Sequence, residues 1–417
     1  MAALSRKALA AYAAVALPLA AAALPVHVHI PKFYAGLGLE LAFIGMLLLV
    51  VRLFDALSDP LLGALADRIP ESRGGRRAMI VVAAPLLGAG LWLLFTPPSL
   101  NVVLAPWLAL TLVLSYLGLS AASIAHFALG SALSRDYVER TRITAARGIA
   151  ALTGVLLAAA LPEWLVQRLG PNEGLAAFAL AFAPLLLIAA AVTVVASPRP
   201  VASGQLRTFS VSVMLQPLRK RRFRCLALVF LVNGISAAVP ATLLLFFAAD
   251  VLQQPQHTPL FLVLYFVSGA AGMPLWTTLA ARFGKVRAWQ AGMMVAVAAF
   301  VWTWFLGAGD GVAFAAVCVL SGLAFGADLA LPASLLADVI DDDEHAGRRP
   351  DGAYFGLWHL LEKLALALAA GIALPALQWL GYQPGTVTAA GSALSAVYAL
   401  LPCLIKVVAA LLLWRTS

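Results

Sequence analysis

The sequence predicts an all-α protein that crosses a membrane twelve times. Three observations carry that prediction. The first is composition: of 417 residues, 63% are hydrophobic and 11% charged, with a mean hydropathy of +0.95. Soluble domains hold about 45–50% apolar and about 25% charged residues, so a soluble chain of this composition would have no surface to offer water. That excludes a soluble enzyme and a disordered chain. The second is that apolar stretches of the length a spanning helix needs, about 20 residues, recur along the whole chain. The third is that basic residues fall in short clusters between those stretches. The net charge of +9 therefore belongs to loops rather than to a groove that tracks phosphates, and nucleic acid is excluded as a partner.

The apolar stretches run over about 8–33, 39–66, 78–97, 102–133, 147–168, 173–196, 224–252, 257–281, 287–307, 311–339, 353–381 and 388–414. Arg6 and Lys7 before an Ala-rich run look like the start of a signal peptide. The run continues past Pro25 toward Tyr34, however, which is too long for a cleaved hydrophobic region. It is read as the first span, broken or bent at Pro18, Pro25 and Pro31. Cys225, Cys318 and Cys403 each lie inside an apolar run, so no disulfide framework is expected. Arg far outnumbers Lys and Ala is abundant, as in chains from GC-rich bacterial genomes.

Charge asymmetry sets the orientation. With the N-terminus inside, only Lys32 and Arg168 of the 28 basic residues lie near the outside, and Arg52, Lys363 and Lys406 lie within spans. The remainder are inside, which places both termini in the cytoplasm. A bacterial inner membrane is the expected location.

The longest polar stretch, from Ser197 through Arg222, divides the chain into a half over 1–196, a linker over 197–223 and a half over 224–417. The halves echo each other. After the second span, Pro60 is followed by Asp67-Arg68 and then Gly75-Arg76-Arg77; after the eighth, Pro274 is followed by Arg282, Gly284-Lys285 and Arg287. After the fourth span, Asp136 leads to Glu139-Arg140 and Arg142; after the tenth, Asp338 leads to Asp341–Glu344 and Arg348-Arg349. Two parallel six-helix repeats with a substrate cavity between them are the plan of the major facilitator superfamily. Asp67, Arg68, Arg76, Arg77, Asp136 and Arg140 are read as gating charges. They would pair with neighbouring helix ends and hold one conformation shut, an explanation preferred to topology alone because Asp67 contributes nothing to the positive-inside bias.

The second span narrows the family. Arg52-Leu-Phe-Asp55-Ala-Leu-Ser58-Asp59-Pro60-Leu-Leu-Gly63, continuing to Arg73-Gly-Gly-Arg-Arg77, resembles the glycoside–pentoside–hexuronide:cation symporters, the melibiose permease family. The segments Phe127–Arg147, Gly326–Asp341 and Gly352–Lys363 are similar to the same family, in order along nearly the whole chain. The resemblance implies the major facilitator fold and cation-coupled transport of a sugar or related polar solute by alternating access.

Asp55 and Asp59 stand at i and i+4, so both carboxylates leave one face of the helix. Ionised carboxylates in hydrocarbon are costly and belong at an aqueous cavity or a bound ion. Hard oxygen ligands suit Na+, and a pair whose repulsion raises its pKa suits H+. The competing reading is internal neutralisation by Arg52, which would still leave one Asp over. By resemblance, Asp55 and Asp59 match the family's cation-site acids, and Ser58 stands where the melibiose permeases carry Asn. Arg147 matches a family arginine near the sugar, and Lys363 a helix 11 lysine near substrate. Trp358 offers an aromatic face beside Lys363, against a reading as core packing with a Glu362–Lys363 pair. The family's sugar-binding acids of helices 1 and 4 have no counterpart here, and His27, His29 and His126 are the candidates to replace some of that polarity. His27 and His29, two apart, face different sides of a helix and make no metal pair; they are read as hydrogen-bonded buried histidines. Asp328 is an intramembrane acid with no evident neighbour in sequence and is a candidate cavity residue; Lys406 is unexplained.

The expected function is therefore a Na+- or H+-coupled secondary transporter, working as a monomer in the lipid bilayer on a small-molecule substrate. No cofactor is required and no metal beyond Na+. The alternatives are a major facilitator exporter or carrier of lipids and other amphipaths and, from another class, a polytopic membrane enzyme. The enzyme is disfavoured because the six histidines are scattered and form no catalytic cluster. No nucleotide-binding loop appears, so ATP does not drive transport.

Overall fold

The structure, a computed structural model, describes residues 4–68, 75–99, 101–134, 136–198, 215–344, 351–385 and 390–416. All regular elements among them are helical. Twelve helices are long and apolar enough to cross a membrane, in agreement with the expected all-α, twelve-span plan. In chain order the α-helices are α1 (Arg6–Ala13), α2 (Ala16–Gly36), α3 (Leu41–Arg68), α4 (Gly75–Phe95), α5 (Asn101–Leu133), α6 (Tyr137–Leu169) and α7 (Pro171–Ala196). They continue with α8 (Arg221–Phe246), α9 (Thr258–Phe283), α10 (Lys285–Phe300), α11 (Gly311–Glu344), α12 (Asp351–Trp379), α13 (Ala390–Ser395) and α14 (Leu401–Thr416). The α8 helix runs on through a π-type turn, Phe247–Val251, and another, Ala396–Leu400, joins α13 to α14. Of the expected linker over 197–223, residues 199–214 lie outside the described residues.

The first span breaks, but not at a proline. The break falls between Ala13 and Ala16, while Pro25 and Pro31 lie inside α2. Pro18 is the third residue of α2, where its missing N–H would have had no helical partner anyway. The break is stabilised from α7. Thr193 Oγ1 accepts from Val15 N at 3.2 Å and donates to the Ala11 carbonyl at 3.0 Å. One buried hydroxyl thus replaces the helical bonds that the interruption removes.

The chain divides into two compact units. One is Met1–Phe33 with Phe54–Phe209, the other Tyr34–Leu53 with Ser210–Ser417. The expected halves over 1–196 and 224–417 differ from them chiefly in the stretch Tyr34–Leu53. The reason is local. Gly45 lies against Ala370, Leu374 and Pro375 of α12, and Gly371 against Leu49. Gln378 of α12 accepts from Ala42 N at 2.7 Å and donates to Glu40 at 3.1 Å, capping the first turn of α3.

Within the second unit, α9 and α11 cross backbone to backbone. A Cβ on Gly326 would come within 2.7 Å of the Gly269 carbonyl and 2.8 Å of Met273 N, and one on Gly272 would run into the Leu323 carbonyl. In the first unit, Gly90 and Gly118 bring α4 and α5 together in the same way, against Ser115 and Leu87. With no hydrophobic force between helices in lipid, such close van der Waals approach is what holds them. Two one-residue turns, at Gly170 (φ +90°) and Gly284 (φ +88°), need the left-handed backbone that glycine adopts without strain. Large apolar side chains point outward, among them Val312 and Trp379, 87% and 84% exposed; that is the surface a bilayer solvates.

The glycine crossing sets a stability test. Gly326→Ala should destabilise the detergent-solubilised protein by about 1–3 kcal/mol, read as a lower melting temperature. Gly148→Ala, where nothing lies within 4 Å of the added carbon, should not lower it. Equal melting of the two variants would contradict the crossing.

Candidate functional site

Asp55 and Asp59 lie on α3, Asp55 buried at 2% exposure and Asp59 half-buried. Ser120 of α5 donates to Asp55 Oδ1 at 2.7 Å. Ser58 Oγ donates to the Asp55 backbone carbonyl at 2.8 Å, which leaves its lone pairs available. Arg52, one turn before Asp55, is buried as well. The first unit therefore gathers two carboxylates and two hydroxyls, all hard oxygen donors of the kind a small alkali cation takes. Among the described residues no three His, Cys, Asp or Glu side chains group as transition-metal ligands. Ser120 was not singled out in the sequence; its only signal is a hydroxyl in an otherwise apolar run.

A second cluster lies on α1, α5 and α6 of the same unit. The His126 ring stacks on Tyr12 with centroids 4.5 Å apart, and its Nε2 lies 2.9 Å from the Tyr12 carbonyl. Tyr12 Oη in turn donates to the His126 carbonyl at 3.4 Å. Gly130, one turn along α5, admits the tyrosine: any side chain there would collide with the hydroxyl. The Arg147 guanidinium lies 4.1 Å over the Phe127 ring and within hydrogen-bonding reach of Tyr12. The two residues expected at the substrate, His126 and Arg147, are thus brought together through Tyr12, which sequence reasoning missed inside an Ala-rich run.

The second unit holds the remaining expected site residues. Trp358 is buried and stacks on Phe230 at 3.8 Å, so one face of its indole is covered. Glu362 lies 2.9 Å from His359 Nδ1, both about half exposed; Lys363 is half-buried. Asp328 is not the isolated acid that the sequence suggested. Lys406 Nζ on α14 donates to Asp328 Oδ2 at 2.9 Å and to Asn233 Oδ1 of α8 at 2.7 Å, and Trp289 Nε1 on α10 donates to Asp328 Oδ1 at 2.8 Å. This corrects the reading of Asp328 as unaccompanied and explains Lys406: four helices converge on one buried ion pair.

Two of the expected gating residues, Arg77 and Asp136, are engaged at helix ends. Arg77 Nη2 donates to the carbonyls of Ser197 and Pro198 at 2.8 and 2.7 Å, closing the C-terminus of α7. At the equivalent place in the second unit, Lys285 Nζ meets both Asp338 oxygens at 2.6 and 2.7 Å. Asp136 is the N-cap of α6, accepting from Glu139 N at 3.0 Å. Arg76 is half-buried at the start of α4. The side chains of Asp67, Arg68 and Arg140 lie outside the described residues.

Residues 11–417 match the family model described as MFS/sugar transport protein. The chain belongs to that family. It is a multi-pass transporter of the major facilitator superfamily, as the second span suggested. Among relatives, the glucuronide carrier protein homolog of Escherichia coli (strain K12) is 26% identical over 91% of this chain and 85% of its own. The inner membrane symporter YicJ of the same strain is 25% identical, over 60% of this chain and 55% of its own length. The sodium-dependent lysophosphatidylcholine symporter 1 of Gallus gallus is 23% identical, over 82% of this chain and 72% of its own. Solved structures share the fold. A bacterial homolog of the human lysosomal transporter Spinster superposes with a TM-score of 0.71 at 14% identity, covering 98% of this chain and 94% of the other. The nucleoside transporter NupG gives 0.71 at 15% identity, covering 99% of each.

The Asp328–Lys406 pair gives a sharp test, since both side chains are 10% exposed. Lys406→Met should cost about 3–5 kcal/mol by leaving a buried carboxylate uncompensated. Adding Asp328→Leu should recover most of that loss. The comparison is thermal unfolding of single and double variants at equal membrane abundance.

Proposed function

We propose that the protein is a cation-coupled symporter of a sugar, glycoside or related small polar solute, in which Asp55, Asp59, Ser58 and Ser120 hold the coupling ion. The observation that carries this reading is the buried Asp55 carboxylate, held by the Ser120 hydroxyl with Asp59 one turn on. A site of oxygen donors on a spanning helix is what a small cation requires in hydrocarbon. Binding the ion cancels carboxylate charge on α3, so the loaded and empty helix differ in how readily they leave water, and transport follows from that difference. His126, Arg147, Trp358 and Lys363 are the residues assigned to substrate, with Tyr12 added to them; Asp328, expected among them, has both carboxylate oxygens engaged by Trp289 and Lys406 and is assigned to the scaffold. The gating role of Asp67, Arg68, Arg76, Arg77, Asp136 and Arg140 is supported by the helix-end contacts of Arg77 and Asp136.

A carrier of amphipathic anions is the second reading. The guanidinium of Arg147 lying on an aromatic ring, with no carboxylate on the apolar first span, favours it, and relatives include lysophosphatidylcholine symporters. Uptake into proteoliposomes decides between them. A labelled glucuronide and labelled lysophosphatidylcholine would be offered with and without an inward Na+ or H+ gradient. Gradient-driven uptake of the glucuronide is the expected result. Asp59→Asn should insert normally and lose accumulation against a gradient, while downhill exchange survives. Accumulation at the wild-type level by that variant would remove the cation site from α3.

The basic loops support an inner-membrane protein with both termini in the cytoplasm, and a monomer is the proposed working unit. Reporter fusions after residue 210 and at residue 417 should read cytoplasmic, and one near residue 254 should read external. A cytoplasmic signal near residue 254 would overturn this orientation.

A further inference from the structure

One buried ionisable pair is used by none of the above. His29 of α2 and Glu163 of α6 face each other in the first unit, their side chains 3% and 8% exposed, with Nε2 and Oε2 3.6 Å apart. That is too long for a hydrogen bond. Among the described residues, no protein group lies within hydrogen-bonding distance of either ring nitrogen of His29. The histidine was expected to be satisfied, as His126 is; a buried imidazole with neither nitrogen engaged is an exception that calls for an explanation. Both residues lie within spanning helices, toward the end of the unit opposite the basic loops, where α2 and α6 finish at Gly36 and Leu169.

We propose that His29 and Glu163 form a proton-binding site, separate from the Asp55–Asp59 pair, and that its proton is coupled to transport; the coupling rests on the symporter reading, the site itself does not. The pair can hold no proton, one or two, for a net charge of −1, 0 or +1. Only the one-proton state is neutral overall, and that is the state a dry helical interior favours. A proton held between the two groups draws them from 3.6 Å into hydrogen-bonding distance. Losing it leaves a buried net charge, which is tolerable only when water reaches the pair. Proton exchange is thereby tied to opening at this end of the unit. The donor set, one imidazole and one carboxylate, suits H+ rather than the hard-oxygen ligation of Na+. On the halves of the packed helices nearest the pair, the other ionisable groups are His27, Lys32 and Tyr34 on α2, Tyr116 on α5, Arg168 on α6 and Glu173 at the start of α7; His126 on α5 and Glu139, Arg142 and Arg147 on α6 lie in the other halves. The Arg168 guanidinium lies 5.1 Å from the half-exposed Trp164 ring. On α4 the ionisable groups are Arg76 and Arg77, at its opposite end.

The test uses the full chain, solubilised and labelled with ¹⁵N-histidine. The His29 resonance is identified by its loss in His29→Gln or, should that variant not fold, by replacing each of the other histidines in turn. At a fixed pH its ring ¹⁵N shifts should change in Glu163→Gln, because the carboxylate that shares the proton with the ring is gone. Ring shifts that Glu163→Gln leaves unchanged would overturn the site whatever the protein transports. The coupling is read in proteoliposomes loaded with a pH-sensitive dye, with the labelled glucuronide and lysophosphatidylcholine as probes. Proton entry should accompany uptake in the wild type and be lost in Glu163→Gln. Uptake driven by Na+ with no proton entry would remove the coupling and leave the symporter reading intact. Absence of uptake of both probes under every gradient would count against the symporter reading, with the resonance still deciding the site.

Discussion

Hydrocarbon offers no hydrogen bonds, and that constraint organises the molecule. Each backbone group in a span must be satisfied within the protein, so the spans are helices and their interruptions are covered individually. The Thr193 hydroxyl covers the break after α1. Gln378 caps the start of α3, and Arg77 closes the end of α7. The carboxylate of Asp250, at the π-type turn after α8, accepts from the Tyr382 hydroxyl and from Gly385 N. Burial, together with that carboxylate, pushes the Tyr382 hydroxyl well above the ordinary phenol range and keeps it a donor. These are all single side chains aimed at helix ends or breaks, which is where lipid would otherwise meet unsatisfied polar atoms.

The same constraint separates two kinds of buried charge. Asp328 is fully accounted for: one oxygen takes the indole N–H, the other the ammonium, and the ammonium reaches Asn233 as well. Such a closed network has little left to offer a ligand. Buried ion pairs add little net stability over apolar packing but are costly to break on one side, so its consequence is to fix how four helices meet. Asp55 accepts from the Ser120 hydroxyl, and a hydroxyl can equally turn a lone pair toward a cation. The first arrangement suits a scaffold; the second is what the proposed ion site draws on.

Legibility in the sequence followed the range of the interaction. Spans were readable because hydropathy is summed over about 20 neighbours, and the family because its residues are contiguous on α3. Asp55 with Asp59 was readable because i and i+4 share a face. What the sequence did not reveal depends on residues far apart in the chain. Lys406 is 78 positions from Asp328, and Tyr12 is 114 from His126, so neither pairing has a local signature. The first break was misplaced for a related reason: prolines mark where a helix tolerates bending, but Thr193, 178 residues after Val15, stabilises it elsewhere. His29 was read as satisfied on the ordinary behaviour of buried histidines, which only the positions of its neighbours can overrule.

The α3 helix shows why the position of the acidic pair matters more than its chemistry alone. Its residues up to Leu53 group with the second unit, through Gly45 against α12 and Leu49 against Gly371, and from Phe54 onward it belongs to the first. Asp55 and Asp59 stand immediately past that change of allegiance, in a helix that continues unbroken to Arg68 despite Pro60. A cation-coupled carrier has to make its conformational equilibrium depend on ion occupancy, that is, the ion has to bind one state better than the other. Of the spans, α3 is one that both units claim within a single helix, the first span being divided at Phe33 close to its end. On the proposed reading, neutralising the carboxylates changes the cost of holding that shared helix away from water.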